Sequence, residues 1–96
     1  MGILVRYQPV GLTREQYDEA THQMEKAGAW PPDGLQVHVL FGTEGNLKVS
    51  EIWESEQQHR AFLEQIMSVL NEVGIQQAGE PEVFEVHVFE QLRTTA

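Results

Sequence analysis

The chain of 96 residues contains no cysteine. Disulfides and thiolate metal sites are thereby excluded, and a reducing compartment suits it. Positive charge is scarce. Six Lys and Arg stand against 15 Asp and Glu, a formal net charge of −9. Phosphate backbones and anionic membrane surfaces are bound through basic stripes. The sequence has none, so neither nucleic acid nor a membrane is expected as a partner. No apolar run approaches the ~20 residues that span a bilayer. The chain opens on a strand-like segment rather than a basic and apolar leader, which points to the cytoplasm. Linkers, repeats and Gly-rich phosphate loops are also missing. One domain over residues 1–92 is expected, with 93–96 as a frayed tail.

What is present reads as six elements. Ile3 to Tyr7 alternates as a first strand and stops at Pro9-Val-Gly11. Thr13-Arg-Glu-Gln16 is a capping-box pattern, with Leu12 and Tyr17 placed as a hydrophobic staple. Tyr17, Ala20, Thr21, Met24 and Ala27 follow at helical spacing, so a helix is expected at 13–27. Ala29-Trp-Pro-Pro-Asp-Gly34 is a stiff loop. Gly34 to Gly42 and Leu47 to Glu54 read as two strands around a turn containing Gly45. Ser55-Glu-Gln-Gln58 is a second capping box. Phe62, Leu63, Ile66, Met67, Leu70 and Val73 then stripe a helix expected at 55–73. Val83 to Glu90 reads as a last strand. The order βαββαβ is the ferredoxin-like α+β arrangement. Right-handed crossovers give an antiparallel four-stranded sheet of order 4-1-3-2 with both helices on one face.

The middle hairpin carries the chemistry. If Thr43 pairs with Asn46, His38 faces Glu51 and Gln36 faces Trp53, and opposed residues share a face. The other hairpin face is Val37, Val39, Phe41, Ser50 and Ile52, mostly apolar. The apolar faces, joined by Ile3, Val5, Tyr7, Phe84, Val86 and Val88, are expected against the helices. The mixed face is expected to be open. It holds Leu4, Arg6, Gln36, His38, Leu40, Val49, Glu51, Trp53, Val83, Glu85, His87 and Phe89. Such a half-apolar face calls for an interface or a pocket, so a homodimer joined through the sheet face is expected.

On that face His38 with Glu51 is the candidate catalytic pair. A carboxylate beside an imidazole fixes its tautomer and raises its pKa toward a useful general-base value. The plainer reading is a structural pair that satisfies two polar groups. Trp53, Gln36, Arg6 and His87 are the candidate substrate contacts. Trp53 serves as a stacking wall or as packing, and Arg6 as an anion clamp or an ion-pair partner. A metal site from His38, Glu51 and His87 is disfavoured, because the two edge strands lie roughly 14 Å apart. No metal and no cofactor are expected. His22 and His59 are read as surface residues.

The chain resembles the dimeric α+β barrels, and more narrowly the antibiotic-biosynthesis-monooxygenase-type members. The matching residues are Gly11-Leu-Thr-Arg-Glu-Gln-Tyr17, Gly34-Leu-Gln-Val-His38, Val49-Ser-Glu-Ile-Trp-Glu-Ser55 and Phe62. The resemblance implies a dimer whose sheets face one another and enclose cavities. It also implies a family that includes cofactor-independent monooxygenases, haem-degrading enzymes and isomerases. The haem-degrading pattern is not met, since the first strand lacks its Asn. The Asn that the monooxygenases carry four residues before the Trp is Val49 here. Two functions are therefore carried forward. One is a cofactor-free monooxygenase-like or isomerase-like enzyme on a small aromatic or enolisable substrate. The other is a non-catalytic barrel that binds a small molecule or a partner.

Overall fold

A computed structural model describes residues 2–92. The elements are β1 (Ile3–Arg6), β2 (Pro9–Val10), α1 (Arg14–Lys26), β3 (Leu35–Thr43), β4 (Asn46–Trp53), α2 (Glu56–Val73), β5 (Gln76–Gln77) and β6 (Glu82–Glu85). Four strands form one antiparallel sheet of order β3-β4-β1-β6, and β2 with β5 forms a small second sheet. With the four long-range strands counted alone, this is the 4-1-3-2 order. No helix among the described residues is long and apolar enough to cross a membrane.

Local chemistry sets the helix ends. The Thr13 hydroxyl accepts from the Gln16 N–H at 3.1 Å, and the Thr13 N–H donates to the Gln16 side chain at 3.1 Å. This is a complete capping box. At α2 the Ser55 hydroxyl accepts from the Gln58 N–H at 3.2 Å. The Gln58 side chain there accepts from the Ser55 hydroxyl instead of reaching back to the backbone. Helix α2 ends on Gly74 at φ 86°, where the Ile75 N–H returns to the Leu70 carbonyl. Only glycine takes that backbone without strain.

The hairpin register is the expected one from Thr43↔Asn46 down to Val37↔Ile52, with His38 opposite Glu51. A bulge follows. Leu35 rather than Gln36 pairs with Trp53, and Gln36 leaves the ladder.

Ile3 and Val5 of β1 face the helices as expected, but the faces of the hairpin and of the last strand are reversed from the expectation. Strand β1 sets Ile3 opposite Trp53 and Val5 opposite Glu51. Ile3, Val5 and Trp53 are buried with Ala20 and Met24 of α1 and Phe62 and Ile66 of α2. The His38–Glu51–Trp53 side of the hairpin therefore faces the helices. Leu4, Val37, Val39, Phe41, Ile52 and Phe84 are left on the open face, where Val39, Phe41 and Phe84 are 44%, 42% and 46% exposed. The physical reason is that the polar set is internally paired, so burying it leaves no polar atom stranded. Among the described residues no buried side-chain N or O lacks a partner.

Two smaller differences follow. The last strand is confined to Glu82–Glu85 and sets Val83, not Phe84, on the helix side beside Val5. The polar connection after α2 contributes β5, which pairs with β2. The frayed tail expected at 93–96 lies outside the described residues.

Trp53 is 0% exposed. Truncation of a buried Trp typically costs about 3–5 kcal/mol. Trp53→Ala is expected to lower the urea midpoint accordingly. An unchanged unfolding curve would put the ring in solvent.

Candidate functional site

The centre of the site is the Glu51 carboxylate, 2% exposed on β4. Three donors converge on it. The Tyr7 hydroxyl donates to Oε1 at 2.8 Å, and the Trp53 indole N–H donates to the same oxygen at 3.0 Å. His38 Nδ1 lies 2.6 Å from Oε2. An ionised carboxylate only accepts, so the His38 proton belongs on Nδ1. This leaves His38 Nε2 to accept from the Tyr17 hydroxyl at 2.8 Å. On the other side, Tyr7 has spent its proton on Glu51. Its oxygen therefore accepts from His59 Nε2–H, also at 2.8 Å. The result is one chain, His59–Tyr7–Glu51–His38–Tyr17, running from α2 through the sheet to α1.

Burial sets the electrostatics. Desolvation, then the Glu51 charge, pushes the Tyr7 phenol far above its ordinary value. Desolvation also raises Tyr17, against an opposing Thr21 hydroxyl and Arg14 charge. His59 is lowered from 6.5, chiefly by desolvation and in part by Arg60, while Glu51 and Glu56 oppose. The lowering favours the neutral form of His59, whose Nε2–H serves Tyr7.

A cavity of about 80 Å³ lies between the sheet and both helices. His38, Glu51, Tyr7 and Tyr17 reach it, and Leu12, Met24, Trp30, Phe62, Ile66 and Leu70 supply most of its apolar wall. Neither Lys nor Arg lines it. The Trp30 ring meets His38 edge-on at 4.9 Å and Phe62 at 6.1 Å. The cavity is smaller than the roughly 150 Å³ apolar space that admits benzene. A ring therefore enters only as a wall such as Trp30 yields.

The residues singled out from the sequence fare differently. His38 and Glu51 meet as expected, but on the helix side. Trp53 does not line the cavity. It packs against Phe62 at 5.3 Å and anchors Glu51. Arg6 is exposed on the open face, opposite Ser50 and Glu82. Gln36 is exposed at the bulge, and His87 is exposed beyond β6. None of these three joins the pair. Among the described residues no cluster of three His, Cys, Asp or Glu is arranged to hold a metal ion.

Three members of the chain escaped sequence reasoning as site residues: Tyr7, Tyr17 and His59. His59 is 2% exposed, not a surface residue. Its signal was its spacing, three residues before Phe62 and seven before Ile66, on the apolar stripe of α2. Tyr17 carries a hydrophobic-staple signal in the sequence, and nothing local marks its hydroxyl.

No protein-family model and no curated protein matches the sequence. Solved structures do match in fold. SnoaB, a cofactor-independent oxygenase from Streptomyces nogalater, is 14% identical over 92% of this chain and 93% of its own, with a TM-score of 0.57. A protein from Chloroflexus aurantiacus assigned to the antibiotic biosynthesis monooxygenases is 16% identical over 94% and 95%, also at 0.57. Protein YJCS is 12% identical over 91% and 100%, at 0.62. The chain has the fold of the antibiotic-biosynthesis monooxygenases. At these identities the likeness is one of fold.

The lowered His59 makes a pH test. The neutral form is favoured by the fold, so its contribution is intact above pH 6.5. As pH falls through 6.5 the unfolded chain takes up the proton first, and stability is lost. The urea midpoint is expected to fall between about pH 7 and about pH 5. Part of that fall should vanish in His59→Gln, which keeps an N–H for Tyr7. Parallel curves for the two proteins would contradict the assignment.

Proposed function

We propose that the chain is a cofactor-free, monooxygenase-like enzyme. Its substrate is a small, uncharged, electron-rich aromatic such as a phenol with a free para carbon. His38 is the general base, Glu51 orients it through Nδ1–H, and Trp53 with Tyr7 fixes Glu51. The observation that carries this reading is the 2.6 Å His38–Glu51 pair on the wall of an apolar cavity without fixed cations. The shared fold of a cofactor-independent oxygenase supports it.

The chemistry needs little else. His38 takes the phenolic proton, and the electron-rich anion is then the species that reacts with dioxygen. Carbon–oxygen bond formation at the para carbon gives a peroxide anion, to which the His38 imidazolium returns the proton. Loss of the para hydrogen with one peroxide oxygen as water leaves a quinone carbonyl. One oxygen atom enters product, the other becomes water, and His38 is restored. Val49 lines the cavity on the neighbouring pair of the ladder and offers no proton. The base is therefore asked to do the work.

The working form is a homodimer joined through the open sheet face. Leu4, Val37, Val39, Phe41, Ile52 and Phe84 make a contiguous apolar surface across all four strands. Exposed patches of this kind mark association surfaces, and a two-fold dimer covers the same patch on both copies. Sedimentation is expected to show a dimer at micromolar concentration. Phe84→Glu is expected to give a folded monomer. A wild-type monomer would overturn the assembly.

Oxygen uptake and quinone formation from alpha-naphthol test the activity. Wild type is expected to turn over, and His38→Ala to lose about 100-fold or more, the usual share of a general base. Isomerised product without oxygen uptake would favour an enolising isomerase. Binding without turnover would favour a non-catalytic barrel.

A further inference from the structure

Both ring nitrogens of His38 are already engaged. Nδ1 is held by Glu51 at 2.6 Å, and Nε2 is met by the Tyr17 hydroxyl at 2.8 Å. The imidazole edge-stacks under Trp30, with ring centroids 4.9 Å apart and planes at 75°. A substrate in the cavity therefore finds Tyr17 between itself and the Nε2 lone pair. Taking the base reading above as its premise, we infer that Tyr17 is the residue that touches the reacting hydroxyl. It is the outer member of a Glu51–His38–Tyr17 relay.

The relay balances in one concerted step. The substrate O–H bond breaks, and its proton forms a new O–H bond on Tyr17. The original Tyr17 proton crosses to His38 Nε2. The imidazolium so formed is paired with Glu51 through Nδ1–H. The electron pair of the broken bond stays on the substrate oxygen, which is now a phenolate. Tyr17, carrying the substrate's proton, donates a hydrogen bond back to it. The reverse step returns one proton to the peroxide. No free tyrosinate is formed, in keeping with the burial that raises Tyr17.

The same geometry sets the class of substrate. Apart from Glu51, already bonded by His38, Tyr7 and Trp53, the cavity wall carries no fixed charge. A carboxylate or phosphate would meet no cation there. A neutral hydroxyl acid, ionised only on arrival, is met by the Tyr17 O–H and by the imidazolium created in the step. Thr21, one turn along α1 from Tyr17, also lines the cavity.

Para-nitrophenol is the probe, because its absorbance reports ionisation without turnover. Wild type is expected to bind it as the phenolate at a pH where the free probe is still largely protonated. In Tyr17→Phe the midpoint of ionisation of the bound probe is expected to rise by about one pH unit or more, a tenfold change. His38→Gln is expected to do the same. Difluorotyrosine at position 17 keeps the shape but is a stronger hydrogen-bond donor. It should lower the midpoint, and it serves if Tyr17→Phe fails to fold. If His38→Gln loses the ionisation and both Tyr17 replacements leave it unchanged, the relay is overturned and the base reading stands. If wild type does not ionise the probe, both fall together.

Discussion

Everything in this molecule leans on one buried carboxylate. Glu51 is enclosed between sheet and helices, and a charge so placed survives only when its oxygens are fully bonded. The donors come from β1's end, β4 and β3, through Tyr7, Trp53 and His38. Two of them are tied in turn to the helices, through His59 on α2 and Tyr17 on α1. The network therefore does what an apolar core does elsewhere. It joins every layer of the fold, but by directional bonds that admit one arrangement.

This explains why the fold was legible and the orientation of the sheet was not. Capping residues Thr13 and Ser55, the apolar stripe of α2 and the Gly45 turn are local signals, and they placed both helices and the His38–Glu51 register correctly. The sidedness of a sheet is a different kind of fact. Composition alone sends Val37, Val39, Phe41 and Ile52 inward, because apolar residues go to cores. Here the polar face of the hairpin lies against the helices and the apolar face stays open. The choice between them turns on hydrogen-bond partners that lie up to 52 positions away in sequence, as Tyr7 and His59 do. No periodicity reports such a pairing.

The candidate site divides along the same line. His38 and Glu51 were found because they are neighbours across a turn, which is a short-range inference. Arg6, Gln36 and His87 would share the pair's face only by strand alternation, and none of them joins it. Arg6 lies on the opposite face, the bulge expels Gln36, and β6 ends before His87. Tyr17 and Trp30 enter because α1 and the loop after it close over the sheet, a tertiary event that alternation within a strand cannot encode.

Strand β4 holds two messages in alternate letters. Val49, Glu51 and Trp53 address the interior, while Ser50 and Ile52 address the outer face. Because neighbouring residues point to opposite sides, either set is free to drift without rewriting the other. A lineage exchanging one association partner for another would alter only the even positions. One adapting to a new ligand would alter only the odd ones. The single change that strikes both at once is an insertion or deletion inside the strand. Length, more than composition, is what selection must guard there.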